Sequence, residues 1–255
     1  MTWPKALVAL ILNSCFLFCI RTETFDFSHT RLTQVLGTSV KNGVVDYSAL
    51  KSAPTELTHY LDTLDSVSET EFQTWPKEDR LAFLINLYNG SVLRLIVDHY
   101  PVASIRDIGG IFGSPWKQKC VRAWGKLLTL ETLEHQIIRP KYAESRIHFA
   151  LVCAAKSCPQ IRSEAYVGKQ LDEQLDHQGK VFLADRNKNW IERDSFTLHL
   201  SPIFKWYSSD FRAPGVTLIN AITPFISPEE AGWLKQNSKE WSLRYMRYDW
   251  RLNGK

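Results

Sequence analysis

Leu81-Ala82-Phe83-Leu84-Ile85-Asn86-Leu87-Tyr88-Asn89-Gly90-Ser91-Val92-Leu93-Arg94-Leu95-Ile96-Val97 is the stretch on which the fold of this chain turns. Just upstream, Thr74-Trp75-Pro76-Lys77-Glu78-Asp79 supplies a helix start with proline and acids in the first turn. Pro101 ends what begins there. The spacing predicts a helix from about Glu78 to His99 that is apolar around most of its circumference, and such a helix sits at the centre of a core. Asn86 and Asn89 interrupt it. Two amides in apolar company cost about 1–3 kcal/mol each unless paired, and a spacing of three puts them on one face. They are expected to line a polar pocket shared with His148 or to brace a loop; capping of the Gly109-Gly110 loop accounts for them nearly as well.

Working outward, Asn42-Gly43 before Val44-Val45 marks a short strand or hairpin, and Leu57, Tyr60, Leu61 and Leu64 have helical spacing over Pro54–Leu64. Asp107 to Trp116, rich in glycine and turn formers, is an ordered loop. Thr129 is the N-cap of a short helix running to Ile138, before Pro140. Ile147-His148-Phe149-Ala150-Leu151-Val152-Cys153 is a nearly continuous apolar run and is expected to be a strand buried on both faces. A helix from Glu164 to Asp185 follows, then strands near 190–192 and 196–200, then aromatic-rich packed segments. The expected fold class is α+β: a single domain with a central buried helix packed on a small sheet.

With 255 residues and 44% apolar content the chain can bury one sizeable core and is short for two. The net charge of +4 comes from basic and acidic residues mixed along the chain without a basic stripe, so no nucleic-acid partner is implied. Lys5 followed by the apolar run Ala6 to Ile20 reads as a signal peptide over residues 1–22, leaving a globular domain over 23–255; an uncleaved anchor is the alternative. The run is shorter than the ~20 residues that span a bilayer, so the mature protein is expected to carry no transmembrane span and to work in the periplasm or outside the cell. Removal of that segment leaves Cys120, Cys153 and Cys158, an odd number in an oxidising compartment, and so at least one free thiol.

Four stretches then coincide. Ala82 to Asn89, the Leu133-Glu134-His135 step, His148-Phe149-Ala150-Leu151-Val152-Cys153-Ala154-Ala155-Lys156-Ser157-Cys158-Pro159, and Leu200-Ser201-Pro202-Ile203-Phe204-Lys205-Trp206-Tyr207 together resemble the domain of unknown function family DUF547, across roughly Val44 to Phe211. The resemblance implies an exported or envelope protein with a papain-like or transglutaminase-like core, and a cysteine-dependent hydrolase whose triad runs in the order Glu, His, Cys. Carried onto this sequence, that makes Cys158 the nucleophile, His148 the general base and Glu134 the orienting acid.

A thiol hydrolase or transpeptidase acting on an amide bond needs a stabilised thiolate, an imidazole and a group that holds the imidazole. The turn Lys156-Ser157-Cys158-Pro159 could expose its sulfur, with Ser157 at the pocket wall and backbone N–H groups as oxyanion donors. Two other readings of the cysteines stand beside it. Cys153 and Cys158 could form a structural disulfide, which would remove the thiol mechanism. A metal site from His135, His148, Cys153 and Cys158 lacks any tight ligand spacing, so no metal or other cofactor is expected. The alternative to an enzyme is a non-catalytic module that binds a peptide or envelope polymer in a polar pocket.

Overall fold

The computed structural model describes residues 24–110, 113–212, 215–237 and 240–254. The expected signal segment lies outside the described residues. Helices Thr30–Ser39, Tyr47–Ser52, Thr55–Ser66 and Glu69–Thr74 surround one long helix, Lys77–His99. Ser68 caps the Glu69 helix by accepting the Glu71 N–H, and Pro76 opens the long one beside the acids Glu78 and Asp79. The long helix is buried from Leu81 to Leu93 without a break, which is why its sequence is apolar all round. It is long and apolar enough to cross a membrane, yet its apolar surface is covered by the protein's own core.

Three small sheets accompany the helices. Val40–Lys41 and Val44–Val45 form the hairpin turned by Asn42-Gly43, and both turn residues take positive φ. Lys119–Ala123 pairs antiparallel with Lys126–Thr129, and this hairpin packs on the long helix. In the third sheet, Trp190–Glu192 pairs antiparallel with Thr197–Leu200, whose other edge takes Ser242–Tyr245 in parallel. The architecture is therefore α+β, with the central helix expected from the sequence. Thr129 caps its short helix as expected, accepting the Thr132 N–H at 2.9 Å.

Two boundaries and one element differ from expectation. The helix expected from Glu164 begins at Leu171, after a 3-10 turn at Gly168–Gln170, and ends at Ala184. The run Ile147–Cys153 is not a strand: Ser145–Phe149 is a 3-10 turn, and the chain beyond it has no regular structure. Its burial comes from lying at a seam. Ile147, Ala150, Leu151 and Val152 pack into the core around the long helix, whereas Phe149 packs into a second core with Phe182, Phe204 and Phe211. A continuous apolar run records burial on all sides, and here helices supply both walls.

An irregular buried segment needs partners for its backbone, and side-chain amides provide them. Asn89 accepts from Val152 N–H and donates to the Ala150 carbonyl, both at 3.0 Å. Asn86 does the same at Tyr166, at 2.9 and 2.7 Å. From the other side, Gln174 accepts from Val167 N–H and donates to the Ala165 carbonyl, and Gln178 donates to the Gln160 carbonyl. Asn86 and Asn89, expected from the sequence to line the His148 cavity, are therefore not among the residues that line it, because backbone occupies both amides and they brace the buried segment instead.

Replacing Asn89 with Ala leaves a buried N–H and a buried carbonyl unpaired, each worth about 1–3 kcal/mol. Urea unfolding of Asn89→Ala should show a loss of about 2–5 kcal/mol, while Asn220→Ala, at an exposed helix position, stays within about 0.5 kcal/mol. Equal losses in the two variants would mean the clamp does not hold the segment.

Candidate functional site

A helical stretch, the seam segment, a short C-terminal helix and the chain's last turn meet around one cavity of about 300 Å³, lined by Glu134, His148, Cys153, Cys158, Tyr207 and Tyr248 among others. Glu134 comes from Leu133–Ile138, a π-helical turn between Leu130–Thr132 and Arg139–Tyr142. Pro140 explains the widening: it lacks an N–H and its ring collides with the carbonyl four residues back in an ordinary helix. The Arg139 N–H accordingly bonds the Glu134 carbonyl, five residues back. Within this turn Glu134 points inward and is buried, while His135 is exposed.

His148 closes one side of the cavity. Its Nε2 lies 2.8 Å from Asp210 Oδ2, and its ring stacks on Tyr207 with centroids 3.8 Å apart. Asp210 in turn receives a two-pronged contact from Arg139, with Nε and Nη2 at 2.7 and 2.8 Å. Arg139 and then His148 hold the Asp210 carboxyl far below the usual carboxylate range. An ionised carboxylate only accepts, so Nε2 carries the proton and Nδ1 has the free lone pair. Burial lowers the His148 pKa, and Asp210 opposes that shift in part. The imidazole is therefore neutral near neutral pH, and protonating it in acid, below its ordinary value of about 6.5, opposes the folded state.

The carboxylate on His148 is thus Asp210, not Glu134. Glu134 accepts the Tyr88 hydroxyl at 3.1 Å and also meets the Tyr207 phenol. Burial, reinforced by that carboxylate, pushes both phenols up, so they stay protonated donors. Tyr207 and Asp210 are three apart on one turn of chain, over Ile203–Trp206 and Ser208–Phe211, so one face supplies both the stacking ring and the acid. That i, i+3 pair was the available signal for Asp210, and the motif reading stopped at Tyr207, three residues short.

The thiols differ from expectation as well. Cys158 is only 4% exposed, and its sulfur accepts the Cys153 N–H at 2.9 Å. Burial raises its pKa well above the ordinary thiol value, and the neighbouring Cys153 adds to this. Cys153 is half-buried at the cavity, with the Tyr248 hydroxyl 3.3 Å from its sulfur. Its pKa is lowered, first by the Cys158 thiol donating to it, then by Tyr248 and the Ala155 N–H, against the effect of burial. The better thiolate is therefore Cys153. The N–H groups expected as oxyanion donors are already engaged: Lys156 bonds Arg251 O, Ser157 bonds Asp249 O and Cys158 bonds Ala155 O. The Ser157 hydroxyl accepts the Asp249 N–H, so this residue ties the turn to the C-terminal segment and does not form the pocket wall. Among the described residues no group of three or more His, Cys, Asp or Glu is placed to hold a metal.

In D210N the imidazole loses its charge partner, and the remaining burial should lower its titration point further. Histidine NMR titration, with H148Q used to assign the signal, should show His148 protonating at lower pH than in the wild type. An unchanged or higher titration point would show that Asp210 does not govern the imidazole.

Comparison with curated proteins finds no match, and comparison with solved structures finds none. Residues 72–183 match the model of a family described as a protein of unknown function, DUF547. The matched span is narrower than the motif span read from the sequence. It holds the long helix, Glu134, Arg139, His148 and both cavity thiols, and it ends before Tyr207 and Asp210. The likeness to the DUF547 family therefore spans residues 72–183 of this chain.

Proposed function

We propose that the protein is a cysteine-dependent hydrolase or acyl transferase for amide bonds, with Cys153 as nucleophile, His148 as base and Asp210 as the group that holds His148. The observation that carries this reading is the asymmetric thiol pair beside a neutral imidazole in one cavity: a half-buried sulfur with a lowered pKa, and behind it a buried thiol that donates to it. Cys158, the nucleophile on the motif reading, instead lies behind Cys153 with its sulfur accepting the Cys153 N–H, and Glu134 becomes the acceptor that fixes the two phenols. Nδ1 of His148 receives the thiol proton as Cys153 attacks the carbonyl carbon. It then gives that proton to the departing nitrogen, leaving an acyl thioester. Water, deprotonated by the same nitrogen, releases the acid; an amine in its place gives the transfer product. The likeness to papain-like and transglutaminase-like enzymes rests on this set of thiol, imidazole and acid, not on sheet order, since the sheets here have two, two and three strands.

Rapid iodoacetamide labelling at pH 6, mapped by peptide mass, should fall on Cys153 in the wild type and vanish in C153A. In C158A the labelling should persist but move to higher pH, because the S–H donor is gone. Loss of His148 in H148Q should reduce cleavage of a panel of acyl anilides by about 10²–10⁴-fold. Labelling on Cys158 instead would restore the first assignment. Labelling no faster than at Cys120, whose pKa burial raises to about 11, together with no amide cleavage, would leave a non-catalytic module for a peptide or envelope polymer.

The site is further proposed to act outside the cytoplasm, on the strength of Lys5 and the apolar run to Ile20. Intact mass of the native product should then correspond to a start near residues 20–25, and an intact Met1 or Thr2 end would contradict it.

A further inference from the structure

Cys153 and Cys158 are free thiols held together by the fold. The Cys158 sulfur sits 2.9 Å from the Cys153 nitrogen, and the Tyr248 hydroxyl touches both side chains. The loop between them cannot relax outward. Its Ala154 takes a left-handed φ of 60°, its Ala154 carbonyl accepts from Asn253, and its Lys156 and Ser157 N–H groups bond the carbonyls of Arg251 and Asp249. Ala155 also bridges antiparallel to Leu252. The outer edge of the loop is thus laced to the C-terminal segment, which pins the two sulfurs to its inner side.

We propose that this pair is a reversible oxidation site for hydroperoxides, in which Cys153 is the sulfur oxidised and Cys158 the sulfur that closes the disulfide. Placement sets the order of events. A peroxide entering the cavity meets half-buried Cys153 first, because Cys158 lies behind it at 4% exposure. The Cys153 thiolate attacks one peroxide oxygen, breaking the O–O bond; the sulfur becomes a sulfenic acid, and the other oxygen leaves and takes up the proton that the thiol gave up, becoming water or an alcohol. The Cys158 sulfur then attacks the Cys153 sulfur, its proton leaves with the departing hydroxide as water, and the S–S bond forms. A dithiol reductant takes the disulfide back to two thiols. Oxidation therefore protects Cys153 from irreversible acids and silences it as a nucleophile at the same time. The inference rests on Cys153 being the more exposed of the two cavity thiols, not on any amide chemistry.

The test uses the full, reduced chain and hydrogen peroxide at equal concentration. Intact mass should fall by about 2 Da, the two hydrogens lost on disulfide formation. Peptide mapping should join Cys153 to Cys158, and dithiothreitol should reverse both. Cys120, on the hairpin strand Lys119–Ala123 and outside this cavity, should remain a thiol. In C158S the intermediate has no second thiol, so dimedone should trap a sulfenic acid at Cys153, and longer exposure should add oxygen there. A wild type that accumulates sulfinic acid at Cys153 as fast as C158S does, or a disulfide that engages Cys120, overturns the proposal. Disulfide formation in a protein that cleaves no amide sinks the hydrolase reading and keeps this one. Amide cleavage that survives peroxide with no change of mass does the reverse.

Discussion

The segment from Ala150 to Val167 crosses the interior without regular helix or strand, and four amide side chains stand in for the sheet it lacks. Two come from the long helix and two, Gln174 and Gln178, from the helix Leu171–Ala184 on the other side. Each buried N–H or carbonyl left open would cost about 1–3 kcal/mol, so the segment can exist in the interior only because those amides meet it. The site inherits its precision from this arrangement. The Asn89 bond to Val152 N–H fixes the backbone one residue before Cys153, and the Asn89 bond to the Ala150 carbonyl fixes it two residues after His148. Thiol and imidazole are thereby positioned by one amide on the buried central helix.

This also explains what could be read from the sequence and what could not. The long helix, the Asn42-Gly43 hairpin, the Thr129 cap and the two strands near Trp190 and Leu198 each carry a local signal, and each is present. The Ile147–Cys153 run carries only the signal of burial, which a strand in a sheet and a coil between helices share. Asn86 and Asn89 stood out because they are polar in an apolar helix. Gln174 and Gln178 were less visible although they also sit four apart on one face, because their helix has a polar side into which they blend. Nothing local announces that an amide will bond a backbone eighty residues away, as Asn86 does at Tyr166.

The same limit applies to the acids. A Glu, a His and a Cys were legible as reactive residue types, but which carboxylate meets His148 depends on how the second core docks. Asp210 reaches it from that core, together with Tyr207, and Arg139 reaches Asp210 from the π-helical turn. Two acids at the cavity thus receive different treatment. Asp210 is paired with a guanidinium and stays ionised, so it can orient an imidazole. Glu134 is met by two phenols, which keeps it from competing for His148 and keeps their protons in place.

The thiols show the same division by environment. They share a loop and a hydroxyl neighbour, yet they differ in exposure. The deeper one keeps its proton because no solvent stabilises its charge, and a protonated thiol is a donor. Its donation makes the shallower sulfur the easier one to ionise. The two sulfurs thus differ in depth, and the Tyr248 hydroxyl lies 3.3 Å from the shallower one. A thiol made acidic by a neighbouring thiol is also next to the group that can oxidatively close on it. On the reading proposed above, activation of Cys153 and its protection would arise from the same pair of thiols.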